Sequence, residues 1–215
     1  MRNTWIRRIS AIRKDGVESA INLTCGLNCI IGASNTGKTR IAKTVEFACG
    51  GKELPFTDKT AYEIAQVTFV TNGGGVSLSR SIHVQNTIHV KSSNPMIVPG
   101  SYSVSSRAGK SINTVLLALL GVESTRRIAT NETYHTVAFT WNAIRHLMIV
   151  PEDQIGRARP SILFPKSTSL ATLTQSLSSL LVLVQDEKID NSIQTESASE
   201  RHALSLIHIS EPTRL

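Results

Sequence analysis

The sequence is poor in aromatic residues. Phe, Trp and Tyr make up 5% of 215 residues, so aliphatic side chains must fill most of any core. It also lacks a long apolar run. The longest stretch, Val115 to Val122, amounts to about two helical turns, whereas a membrane-spanning helix needs about 20 apolar residues. The first ten residues, MRNTWIRRIS, are basic but contain no apolar signal core and no small-residue cleavage site. Cysteine is scarce and odd in number. Cys25, Cys29 and Cys49 have no CxxC spacing, which argues against a zinc site and a disulfide framework and predicts three small buried apolar side chains. Together these absences predict a cytoplasmic protein with no membrane association.

Other absences narrow the chemistry. The six histidines fall in no H-x3-H or HExxH spacing, which argues against a metal centre. No serine sits in a G-x-S-x-G elbow. Asp153-Gln154-Ile155-Gly156 matches DxxG, but no NKxD guanine reader accompanies it, so a GTPase is discounted. What remains is a chain with 40% apolar and 18% charged residues, enough for a packed core. Its charge is uneven: residues 1–166 carry 20 Lys+Arg against 10 Asp+Glu, and residues 167–215 carry 3 against 6. A basic first part suits polyanions, nucleotide or nucleic acid, and equally a solvated basic surface.

Periodicity supplies the elements. Trp5 to Ile12 and Val17 to Leu23 read as strands around a Lys14-Asp15-Gly16 turn. Gly26 to Asn28 turns the chain into a short buried strand, Cys29-Ile30-Ile31. A helix is expected from Gly37 to about Cys49, with Ile41, Ala42, Val45 and Ala48 buried and Gly50-Gly51 as its stop. Glu63–Val70, Gly75–Val84 and Asn86–Ser92 read as a meander, turning at Asn72 to Gly75. Ser111–Leu120 and Ser167–Val184 read as helices; Val137–Val150 is apolar and ends at Pro151.

One stretch carries chemistry. Gly32-Ala33-Ser34-Asn35-Thr36-Gly37-Lys38-Thr39 fits GxxxxGK[ST] in full, between an expected strand and an expected helix. Gly32 lets the chain leave the strand sharply, and the loop's N–H groups make an anion nest. Gly37 allows close approach to phosphate, Lys38 brings a cation to the β- and γ-phosphates, and Thr39 offers a hydroxyl to Mg²⁺ at a helix N-terminus. Arg40 completes the expected nucleotide-binding set. Asn35 stands where glycine is common, and Asn tolerates positive φ better than most residues.

The stretches "AINLTCGLNCIIGASNTGKTRIAKTVEFACGG", "VSLSRSI" and "RHLMIVPEDQI" resemble the N-terminal half of an SMC/Rad50/RecN-type ATPase head, in the ABC class. Ser34 departs from that family's G-P-N-G-S-G-K-S, which has Asn there. The resemblance implies an α/β fold: a P-loop NTPase of ABC-ATPase head type, its N-terminal lobe with an antiparallel β-subdomain over 1–165. It is incomplete, and a helical segment over 166–203 leads toward a coiled coil. It also implies ATP and Mg²⁺ as cofactors, with Gln154 as the Q-loop residue that joins Thr39 at the metal and helps hold the attacking water. Gln154 reads equally as an exposed polar residue. "LMIVPED" is a rival Walker B strand with Glu152 and Asp153 as carboxylates, though Pro151 would remove a ladder N–H. Arg157 and Arg159 suit phosphate or DNA, or a solvated loop.

No LSGG-like run and no second apolar strand ending in Asp-Glu is present. The resemblance therefore implies three partners: the C-terminal half of the same full-length chain, a second head on ATP binding, and DNA in repair, chromosome handling or phage defence. The alternatives are a small nucleotide-dependent phosphotransferase, or a non-hydrolysing nucleotide- or DNA-binding module, with Walker B over 147–153. Residues Leu204 to Arg214, LSLIHISEPTR, resemble a translated sequencing adapter, so 204–215 is expected to be non-native. Deleting 204–215 should then leave the thermal midpoint unchanged, because such a tail has no evolved packing partner. A fall of several degrees in a melting curve would show it docked.

Overall fold

The computed structural model describes residues 4–57, 60–105, 109–129 and 136–150, together with Leu180. The chain divides into two units, Met1–Glu123 and Ser124–Leu215. The fold is mixed α/β, dominated by one antiparallel sheet and few helices. Among the described residues no helix is long and apolar enough to cross a membrane.

The first unit is built on a six-stranded sheet in the order β2-β1-β3-β4-β5-β6, antiparallel at every pairing. Its strands are β1 (Trp5–Arg13), β2 (Glu18–Asn22), β3 (Tyr62–Thr71), β4 (Gly74–Ser81), β5 (Thr87–Ser92) and β6 (Gly100–Ser103). The period of two fixes its faces. Ile9 stands opposite Val67, Val67 opposite Leu78 and Leu78 opposite Val90, and all four are buried. One residue along, Ser10, Gln66, Ser79, His89 and Ser101 form the adjacent row on the other face. A one-residue slip in any strand would exchange these rows, so burial locks the register. The edge strand β2 is held to β1 by Arg8, whose guanidinium donates to both Glu18 carboxylate oxygens at 3.1 and 2.9 Å and to Asn22 Oδ1 at 3.0 Å. That pairing holds the Glu18 carboxyl below its ordinary value.

The apolar face receives α1 (Lys38–Ala48). Phe47 packs with Phe56, Ala65 and Ile82; Ala48 packs with Ile9 and Val67. The buried stripe is therefore rotated from the expected one. Thr44, Phe47 and Ala48 are buried, Ile41 and Val45 partly so, and Ala42 is exposed. The sheet takes the largest side chain, Phe47, and the buried Thr44 hydroxyl is satisfied by donating to Arg40 O at 2.7 Å. The helix stops at Gly50, where φ is +94° and the N–H donates to Phe47 O, while Gly51 N donates to Glu46 O.

The second helix, α2 (Ile112–Leu120), runs as expected, with Ser111 Oγ accepting from Asn113 N at 3.2 Å. Strand β6 was not expected, since Gly100-Ser101-Tyr102-Ser103 carries one apolar side chain and no legible alternation. In the second unit, β7 (Arg127–Ala129) pairs with β8 (Thr136–Ala138), and α3 spans Trp141–Met148. The apolar stretch 137–150 is thus split between a strand and a helix. Leu147 and Met148 close α3, so the alternative Walker B strand over 147–153 does not form at its start.

The expected strand Cys29-Ile30-Ile31 is a correction. Residues 29–31 belong to no strand, and Ile30 and Ile31 are 43% and 93% exposed. β-branched residues favour a pleated, half-buried surface, but a strand also needs a neighbour to complete its ladder. Among the described residues Cys29–Ile31 has none.

Leu78 is fully buried in the middle of the sheet. Leu78→Ala should cost about 2–5 kcal/mol, from lost transfer energy and a residual cavity. Thermal unfolding followed by circular dichroism should show a midpoint several degrees lower; an unchanged midpoint would contradict this packing.

Candidate phosphate-binding site

The glycine loop stands between an irregular lead-in and the first turn of α1. The lead-in is shaped by Asn28. Its side chain accepts from Thr24 N at 3.0 Å and donates to Thr24 O at 2.8 Å and Gly26 O at 3.0 Å, closing the turn around Gly26, whose φ is +100°.

The loop is wound by two left-handed residues, Asn35 at φ +62° and Gly37 at φ +93°. Alternation of right- and left-handed backbone is the pattern from which anion nests are built. Asn35 thus takes the conformation that a glycine would supply. Thr36 Oγ1 donates to Ala33 O at 2.8 Å, and Lys38 Nζ reaches back to Gly32 O at 2.7 Å and Ala33 O at 2.5 Å. A Cβ on Gly32 would come within 3.0 Å of Thr36 Oγ1, so a side chain there would press on that bond. Gly37 is the N-cap of α1, no side chain caps the helix, and no acidic residue lies in its first turn. The positive end of the helix dipole therefore stands beside Lys38 and Arg40 with no carboxylate in that turn.

The structure thus gathers Gly32, Ala33, Ser34, Asn35, Thr36, Gly37, Lys38, Thr39 and Arg40 in one exposed loop and helix turn. A cavity of about 320 Å³ adjoins it, lined by Thr36, Gly37, Arg40 and Ile41 on one side and by Ser19 and Tyr62 on the other. The Ser19 and Tyr62 hydroxyls are hydrogen bonded at 2.7 Å. The remaining sequence candidates, Gln154, Glu152, Asp153, Arg157 and Arg159, lie outside the described residues.

The cysteines divide. Cys49 is buried, and burial, followed by the neighbouring Glu46 charge, pushes its thiol up to about 12. Cys25 and Cys29 are exposed, contrary to expectation, because they belong to the lead-in that finds no sheet partner.

One residue at the far end of α1 escaped the sequence reading as anything beyond a family likeness. Arg80, on β4, is 4% exposed, and its guanidinium carbon lies 4.0 Å from the Phe47 ring centroid. Nη1 donates to Phe47 O at 2.6 Å and to Gly51 O at 2.7 Å. Nε and Nη2 donate to Gln85 O at 2.8 and 2.5 Å. The signal was present: Val76, Leu78, Arg80 and Ile82 share one parity in an alternating strand, which places a charge on the buried face.

No family model matches the chain, and no curated protein matches it.

Gly37→Ala forces a Cβ into a left-handed conformation that costs about 1–2 kcal/mol for an L-residue. Pyrophosphate affinity by titration calorimetry should fall roughly five- to thirty-fold, by 1.4 kcal/mol per tenfold. Equal affinity would mean that the loop's wound backbone does not form the anion site.

Proposed function

We propose that this chain binds ATP with Mg²⁺ through a Walker A loop, as the N-terminal lobe of an SMC/Rad50-like ATPase acting on DNA. The observation that carries the reading is the wound loop Gly32–Thr39. It has two left-handed residues, the Lys38 ammonium drawn across it, and α1 opening directly behind. This combination suits a polyphosphate: fixed N–H dipoles, a mobile cation and a helix N-terminus converge on one point. Lys38 would meet the β- and γ-phosphates, and the Thr39 hydroxyl would meet Mg²⁺. The metal would neutralise phosphate charge as it develops. The cavity beside the loop supports a nucleotide over a bare phosphate, since it lies within the size range of small-molecule sites and shares Thr36 and Gly37 with the loop.

Two further observations support an ABC-type head. An antiparallel sheet packs on the helix behind the loop, as a β-subdomain would. The apolar lead-in, Leu27 at 93% and Ile31 at 93% exposed, has the composition of a strand awaiting a neighbour. In this reading the neighbour is the C-terminal half of the full-length protein, which also brings the Walker B carboxylates and the signature motif. The DNA partner rests on the family resemblance and the basic excess of residues 1–166.

Binding requires the loop and helix alone, whereas hydrolysis requires a positioned water and a general base as well. Positioning alone contributes about 7–11 kcal/mol to such reactions. The 215-residue chain should therefore bind ATP in the presence of Mg²⁺ and release phosphate no faster than buffer. Lys38→Ala should abolish the binding in titration calorimetry. Equal affinity of wild type and mutant would remove the Walker A assignment. Steady phosphate release that the mutation abolishes would place a complete site within these residues and remove the SMC-like one.

A further inference from the structure

The phosphate loop is weakly anchored on its own side. The residues that lead into it are exposed and belong to no strand, so α1 is what ties the loop to the sheet. This helix has 11 residues and is therefore roughly 16 Å long at 1.5 Å per residue. It behaves as a short rod, and any tilt at its C-terminal end moves the loop at the other. The seating of that far end rests on Phe47 and Ala48, which are fully buried, and on the guanidinium beneath them.

We infer that Arg80 is a positioning residue for the phosphate loop: by fixing the C-terminal end of α1 to β4, it holds the loop at the opposite end of the same helix in place against the sheet. The chemistry at this position is specific to arginine. The last carbonyls of a helix have no partner within it, and one planar fork satisfies Phe47 O and Gly51 O with one nitrogen and Gln85 O with two others. Its partner across β3 is Ala65, which is small enough to leave room for both the guanidinium and the Phe47 ring above it. An apolar side chain could fill this space but would take the guanidinium donors from Gly51 O and Gln85 O and leave Phe47 O with Gly50 N alone. A lysine carries the charge on a single nitrogen and cannot span both directions. Burial lowers the Arg80 pKa to about 10, which leaves it charged at neutral pH. Because Gln85 belongs to the turn between β4 and β5, the same group also joins that turn to the helix.

The binding readout of this inference rests on the nucleotide reading above, whereas its spectroscopic readout does not. The 215-residue chain is compared with Arg80→Met, Arg80→Lys and Leu78→Ala, the last serving as a packing defect two residues along the same strand. ATP affinity is measured well below each thermal midpoint, and backbone amide signals of Gly32, Gly37 and Thr39 are recorded without nucleotide. Arg80→Met should weaken ATP binding at least tenfold and shift the three loop amides. Arg80→Lys should recover part of both. Leu78→Ala should lower the midpoint at least as far while changing affinity less than twofold. Wild-type affinity in Arg80→Met, or a loss in Leu78→Ala that matches it, would overturn the inference. If Arg80→Met does not fold, Arg80→Lys against Leu78→Ala carries the same comparison. If the wild type binds no ATP, the nucleotide reading fails and the amides decide. Shifts confined to the C-terminal end of α1 and the β4–β5 turn would then overturn the positioning role.

Discussion

The guanidinium of Arg80 sits under α1 with its charge met by main-chain carbonyl oxygens. Burying a cation among dipoles is costly unless its donors are satisfied and the geometry is fixed. The first unit meets that condition by bringing three carbonyls together from three places: the last turn of α1, the glycine pair that ends it, and the turn after β4. The guanidinium makes them one construction, and the aromatic face of Phe47 shields it from water. A sheet whose inward face is otherwise mainly apolar thus carries one buried charge among the described residues, at the point where helix and sheet must be held in a single relative position.

Much of this was legible in the sequence. Alternation gave β1, β3, β4 and β5 to within a few residues, because Ile9, Val67, Leu78 and Val90 fall on one face and Ser10, Gln66, Ser79 and His89 on the other. The apolar run from Ser111 to Leu120 gave α2, and Gly50-Gly51 gave the end of α1. The glycine loop was legible down to a backbone dihedral: Asn35 was expected to tolerate positive φ, and it stands at +62°. What was not legible depended on partners distant in the chain. Cys29-Ile30-Ile31 has strand composition, but composition does not supply a neighbour. Ala42 was expected to be buried because helical spacing fits several stripes, and the sheet chose the one that seats Phe47. Strand β6 pairs with β5 through its backbone, which leaves almost no trace in side-chain pattern.

The site itself was legible as a motif and illegible as a mechanical part. The sequence showed which residues wind the loop. It did not show that the loop's connection to the sheet runs almost wholly through one short helix. The exposed lead-in on one side and the buried clamp on the other give the site an asymmetric support, firm behind and open in front. In the proposed ATPase the open side is where a second lobe would dock, and nucleotide would lie between a fixed wall and one still to be assembled.

Lys38 spans the loop to Gly32 O and Ala33 O. Any anion that draws this ammonium away must first replace two carbonyl contacts. Chloride, with one charge and no directional lone-pair array, gains little from such an exchange. A polyphosphate chain offers several oxygens and more than one charge, and can engage the lysine and the backbone amides together. In the proposed nucleotide site the loop's own oxygens would therefore set a threshold that favours ligand valence. In that reading the selection against monovalent anions would come from internal competition instead of from a gate.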